Sequence, residues 1–133
     1  AYNREGWGLT TDGTSLIASD GSAQIYYIDP ATFISKKSIT VRLNGSPVRM
    51  LNELEYISGK IWANIYLEDE IVIINPEDGV VQAEIDCKGL LPANLKKPST
   101  DVLNGIAYNP KDVKIYLTGK NWPRLYEIEL IEK

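Results

Sequence analysis

The sequence predicts an all-β fold built as part of a β-propeller, and three observations carry that reading. Short stretches of alternating apolar and polar residues recur along the chain, separated by Gly, Asn, Asp and Pro turn signals. The stretches group into four-strand units whose first strands begin at Trp7, Leu51 and Leu103, about 45 and about 52 residues apart, a period typical of propeller blades. Matched turns, Ile28-Asp29-Pro30 and Ile74-Asn75-Pro76, fall at the same place in the first two units. A β-sandwich with short, evenly spaced strands is the alternative, and the recurring turns favour the propeller.

Each element follows in order. In the first unit, Trp7–Thr11 ends at Asp12-Gly13, Ser15–Ser19 at Asp20-Gly21-Ser22, Gln24–Asp29 at Pro30, and Ser38–Leu43 at Asn44-Gly45. The second unit repeats the plan with Leu51–Ile57, Ile61–Tyr66, Glu70–Asn75 and Val80–Asp86. A third has three strands, Leu103–Tyr108, Lys114–Thr118 and Leu125–Ile131, and a long loop, Lys88–Asp101, precedes it. The blades thus run approximately over 7–43, 51–86 and 103–131, about two and three-quarter blades in all. Blades bury their faces only against neighbours, so further blades or another copy of the chain are expected to close the ring.

Composition removes several chemistries. The 133 residues contain no His and one Cys, which excludes Ser-His-Asp triads, imidazole metal sites and an internal disulfide. Proton transfer is left to carboxylates, Lys, Tyr or water. Cys87, in an alternating run, reads as a buried inert thiol. A net charge of −4 without a dense Lys/Arg run argues against nucleic acid, and no apolar run is long enough for a membrane span. Neither Asp-Gly turn has the ligand spacing of a calcium loop, so no metal or cofactor is expected.

In a blade, the innermost strand begins and the second strand ends on one face of the disc. Aligning the units puts Trp7, Asn52 and Asn104 at inner-strand starts, and Gly21, Tyr66 and Lys120 at second-strand ends. Aromatic walls with a few convergent polar groups around an axial mouth describe a ligand site. The hairpin Leu51–Tyr66 is unusual in setting Asn52, Glu53 and Glu55 among apolar residues, which is costly unless they are paired or face a wet site.

Those residues also carry a family resemblance. EGWGLTTDG (Glu5–Gly13), SDGS (Ser19–Ser22), LNELEYISGKIWANIY (Leu51–Tyr66), VLNGIAY (Val102–Tyr108) and TGKNWPRLYEIEL (Thr118–Leu130) resemble, in order and spacing, the plant-type glutaminyl cyclases, or glutamine cyclotransferases, of plants and bacteria. The resemblance implies a five-bladed propeller, of which this chain is the C-terminal part. It implies conversion of N-terminal glutamine of peptides and proteins to pyroglutamate with release of ammonia, by an exported (secreted, periplasmic or cell-envelope) enzyme. By match, Trp7 and Tyr66 stand where the family has aromatic pocket walls, the second usually a Trp. Asn52 stands where it binds substrate, and Lys120 where it has an active-site lysine. Asn52 and Lys120 would donate to the carbonyl oxygen as charge builds. The family's catalytic glutamate lies in a Phe-Gly-Glu-Gly segment with no counterpart here.

Each assignment has a packing alternative. Trp7 and Tyr66 are also reasonable packing residues, Asn52 a backbone-satisfying group, Lys120 a solvated turn lysine, and Asn104-Gly105 a backbone device. Trp122-Pro123 reads as packing at the blade edge that fixes the loop after Lys120. Glu53 and Glu55 share a strand face and are the only local candidates for a replacement acid, with pairing to Lys60 or Arg49 the plainer expectation. A non-catalytic propeller that binds peptides or partner proteins is the alternative function.

Overall fold

The computed structural model describes residues 2–133, and its regular structure is almost entirely antiparallel β. The first sheet runs in the order β1 (Gly8–Thr11), β2 (Leu16–Ser19), β3 (Gln24–Ile28), β4 (Ser35–Thr40). A small ribbon of β5 (Arg42–Leu43) and β6 (Ser46–Pro47) leads to the second sheet: β7 (Leu51–Ile57), β8 (Lys60–Ile65), β9 (Glu70–Ile74) and β10 (Val81–Asp86). One 3₁₀ turn, Ala93–Leu95, interrupts the loop before β11 (Leu103–Asn109), β12 (Lys114–Gly119) and β13 (Tyr126–Ile128). The first strand of each sheet is the shared edge, since β7 packs beside both β1 and β11. The sheets fan out from these inner strands as blades do, rather than stacking as a two-sheet sandwich.

The turns explain the repeat. The Asp29 carboxylate accepts the Ala31 N–H at 2.9 Å, and Asn75 Oδ1 accepts the Glu77 N–H at 3.1 Å. Each turn closes on its own start, Phe33 N–H to the Asp29 carbonyl at 2.8 Å and Gly79 N–H to the Asn75 carbonyl at 2.9 Å. Closing it requires a left-handed residue, which is Gly79 (φ 78°) in one unit and Phe33 (φ 59°) in the other.

Two apolar clusters hold the blades together. Ile17, Ile25, Leu51, Leu54, Ile61 and Ile74, all at most 1% exposed, pack the first sheet on the second. Ile57, Trp62, Ile71, Leu103, Ile106 and Leu117 pack the second on the third. Full burial of each such side chain contributes roughly 1.5–3 kcal/mol.

Two strands differ from the sequence reading by more than one residue at an end; the others agree to within one. The fourth strand spans Ser35–Thr40, not Ser38–Leu43, because Val41 turns fully into the core and gives its N–H to the Ala23 carbonyl at 2.8 Å. Arg42 then donates to the Gly79 carbonyl at 3.0 Å, tying the first blade to the second. The last strand is Tyr126–Ile128 rather than Leu125–Ile131: it pairs only with β12, and Ile131 beyond it is 89% exposed.

Candidate functional site

The second strand of each sheet ends beside the start of an inner strand, and one backbone bond recurs there. Tyr66 donates its N–H to the Met50 carbonyl at 2.8 Å, and Lys120 its N–H to the Val102 carbonyl at 2.9 Å. Tyr66 and Lys120 are therefore held at equivalent places by atoms that do not depend on their side chains. Met50 in turn donates to the Gly21 carbonyl at 2.9 Å, which brings the first blade's corner alongside.

On this frame three of the four residues singled out from the sequence come together. The rings of Trp7 and Tyr66 meet edge to face, with centroids 5.3 Å apart and planes at 74°. The Lys120 ammonium sits 5.0 Å from the Tyr66 ring centroid, within cation–π range. Trp7 lies against Gly21, where a Cβ would come within 2.7 Å of the indole, so glycine is needed on steric grounds as well as for its φ of 81°. The corner under Lys120 is fixed by Trp122, whose indole N–H donates to the Asp101 carbonyl at 2.8 Å and whose ring meets Tyr126 edge-on.

Asn52, the fourth, is 6% exposed and sits in a β-bulge. The register of β7 on β8 slips between Leu51 and Leu54, so Asn52 and Glu53 together oppose one residue, Asn64. β11 has the same slip between Leu103 and Ile106, placing Asn104-Gly105 opposite Thr118. The Asn52 carbonyl accepts the Ser19 hydroxyl at 2.6 Å from the first blade, and the buried side-chain amide nitrogen without a partner among the described residues is that of the facing Asn64. Asn104 is occupied differently: its Oδ1 accepts the Glu53 N–H at 3.4 Å, a backbone-holding role.

Glu53 and Asn64 are the residues whose part was not foreseen. Glu53 Oε2 accepts the Ile106 N–H at 2.9 Å, and Asn64 Oδ1 accepts the Gly105 N–H at 3.1 Å, so the second blade holds two successive N–H groups of the third blade's bulge. Burial pushes the Glu53 carboxyl up to about 7; the Ile106 N–H opposes the shift and the Glu55 charge adds to it. The expected pairing with Lys60 or Arg49 does not occur. The ion pairs among the described residues are Lys36–Asp29, Lys114–Glu127 and Lys133–Asp86, all at exposed edges. Glu55 instead lies 3.4 Å from the Thr10 hydroxyl, which donates to it. An Asn inside the apolar run Ile61–Ile65 was the available signal for Asn64.

The mouth thus offers two aromatic edges and one ammonium, an arrangement able to hold a small polar chain and donate a hydrogen bond to a carbonyl oxygen. Among the described residues no three His, Cys, Asp or Glu side chains are placed to hold a metal ion. Burial raises the Cys87 thiol to about 11, so it is un-ionised at neutral pH. An apolar cavity of about 330 Å³ reaches from Trp7 to Phe33 over the first sheet, lined by aromatic residues (Tyr2, Trp7, Phe33) and aliphatic ones (Leu9, Leu16, Ile28).

Comparison with known proteins gives a consistent result. The glutamine cyclotransferase family model matches residues 1–130. A glutaminyl-peptide cyclotransferase of Arabidopsis thaliana is 44% identical over 131 residues, covering 97% of this chain and 41% of the relative. The crystal structure of Myxococcus xanthus glutaminyl cyclase superposes with a TM-score of 0.90 at 39% identity, over 96% of this chain and 56% of that one. A WD40 β-propeller domain matches with a TM-score of 0.56 at 14% identity over 94% of this chain and 36% of its own, a likeness of fold alone. The chain therefore spans well under two thirds of the length of the cyclotransferases it matches.

Proposed function

The chain belongs to the glutamine cyclotransferase family, and from that premise we propose that it forms part of a propeller that converts N-terminal glutamine of peptides to pyroglutamate with release of ammonia. The observation that carries the reading is the meeting of Trp7, Tyr66 and Lys120 at one mouth.

In this reaction the α-nitrogen attacks the side-chain γ-carbonyl carbon, a C–N bond forms, and the carbonyl oxygen takes up negative charge. Collapse breaks the bond to the side-chain nitrogen, which leaves as ammonia after gaining the proton lost by the α-amine. Both reacting groups belong to one residue, so holding it in a cyclising conformation supplies much of the rate. The edge-to-face rings of Trp7 and Tyr66 suit that task by shaping the pocket and excluding water. The Asn52 amide and the Lys120 ammonium donate to the oxygen as its charge grows. The same ammonium repels a protonated α-amine and so favours the neutral, nucleophilic form. The proton shuttle is assigned to the family's Phe-Gly-Glu-Gly glutamate, which lies outside residues 1–133. That segment, the remaining blades of a five-bladed ring, and export from the cell complete the proposal. In this reading residues 1–133 supply part of that single propeller domain.

The test is ammonia release from a glutaminyl peptide by the full-length polypeptide containing this segment. Asn52→Ala and Lys120→Ala should each lower kcat about a hundredfold or more. Wild-type turnover in both variants would remove the assigned roles.

A further inference from the structure

The two seams between blades are closed by different chemistry, and the difference falls beside Asn52. At the first seam the Ser19 hydroxyl, from the end of β2, donates to the Asn52 carbonyl. At the second, the corresponding end of β8 supplies Asn64, joined by the Glu53 carboxyl, and together they take the Gly105 and Ile106 N–H groups. The residues matching Glu53 in the other two sheets are Gly8 and Gly105, each without room for a Cβ: one would meet the Asn52 carbonyl and the other Thr118. Only the middle blade has space for a side chain there. It fills that space with a half-buried carboxyl that has no cation partner among the described residues. Burying such a group is unfavourable by itself, and a bond to one backbone N–H only partly offsets it.

We propose that Glu53 is a positioning residue for Asn52: its carboxyl grips the bulge of β11, thereby fixes the bulge of β7 on which Asn52 stands, and so sets the direction of the Asn52 amide. Its consequence for turnover rests on the cyclase reading; the mechanical coupling of the two residues does not. Among the strands packed against β7, β1 and β2 bring no ionisable side chain and β11 brings Tyr108. β8 brings Lys60 at the far end, opposite Ile57. Glu55, on the same strand as Glu53, is the charged neighbour that acts on the carboxyl. A change in the protonation of Glu53 therefore acts locally, through its hold on Ile106.

The experiment uses the full-length polypeptide as wild type, E53Q and E53A, with two readouts over about pH 5 to about pH 9. The first is the ¹⁵N–¹H resonance of the Asn52 side chain, which should move with a midpoint of about 7 in the wild type and stay flat in E53Q. The second is ammonia release from a glutaminyl peptide. There E53A should lower kcat about tenfold with little change in KM, and E53Q should stay within about threefold because its amide oxygen still accepts the Ile106 N–H. A flat Asn52 resonance in the wild type, or equal kcat in wild type and E53A, overturns the positioning role. Should E53A not fold, the Asn52 resonance in wild type and E53Q decides. A titrating resonance without turnover in the wild type overturns the cyclase reading and leaves the positioning role standing.

Discussion

The first and second seams of this molecule solve the same packing problem with unequal materials. Between the first and second blades the core is closed: Ile17, Ile25, Leu51 and Ile61 have no exposed surface, and the polar link at the bulge is the neutral Ser19 hydroxyl, with Thr10 donating to Glu55 further along the strand. Between the second and third blades a smaller buried cluster is rimmed by half-buried Ile73, Ile85, Tyr108 and Trp122, and the polar links are an amide and a carboxyl. The lesson is that an identical backbone bulge can be satisfied by a hydroxyl, at any pH, or by an acid, which brings a titration with it. At the bulges themselves the carboxyl belongs to the second seam, where Glu53 holds the Ile106 N–H.

The largest effects should come from the cores. Leu51→Ala at the first seam is expected to cost about 3–5 kcal/mol in urea unfolding of the full-length protein, and Leu117→Ala at the second about 2–3, because the partly open surroundings there can collapse. Equal costs would erase the contrast between the seams. Next is Gly8→Ala, whose Cβ runs into the Asn52 carbonyl and should cost about 1–3 kcal/mol, whereas Gly6→Ala, with open space around it, should stay within about 0.5 kcal/mol. Ser19→Ala strips the Asn52 carbonyl of its donor and should cost about 1–2 kcal/mol, the same at acid and alkaline pH.

The smallest effect is the most diagnostic. Glu53 has its folded pKa raised from 4.5 to about 7. Between those values the folded state holds a proton that the unfolded chain has released. Stability should therefore fall as pH rises through that window and level off above it. Glu53→Gln removes the burden, so its melting temperature should exceed that of the wild type by about 2–4 °C at alkaline pH and match it near the lower end of the window. A gain that is independent of pH would mean that the carboxyl does not titrate there.

Much of the fold was legible in the chain because it is written in local signals. The two-residue alternation gave the strands, and Asp29 and Asn75 gave turns that close by the same hydrogen bonds. Placement of Trp7, Tyr66 and Lys120 near one another followed from the repeat, since inner-strand starts and second-strand ends lie on one face of the blades. Long-range facts were not legible. A bulge at Asn52-Glu53 is a mismatch between two strands, and neither strand alone carries a mark of it. Pairing of Glu53 with Lys60 or Arg49 was a guess from sequence neighbours, whereas the carboxyl turns across the seam to Ile106, 53 residues away. The outer strand of the first blade was misplaced because Val41 reads as one more alternating apolar residue, and only the second blade shows why the chain leaves the sheet there.

The most direct test of the account is mass spectrometry of a glutaminyl peptide incubated with the full-length protein. The account predicts a product lighter by one ammonia, formed by the wild type and strongly suppressed in Asn52→Ala. A peptide that binds to the wild type yet is recovered unchanged would contradict it and mark the propeller as a binding module.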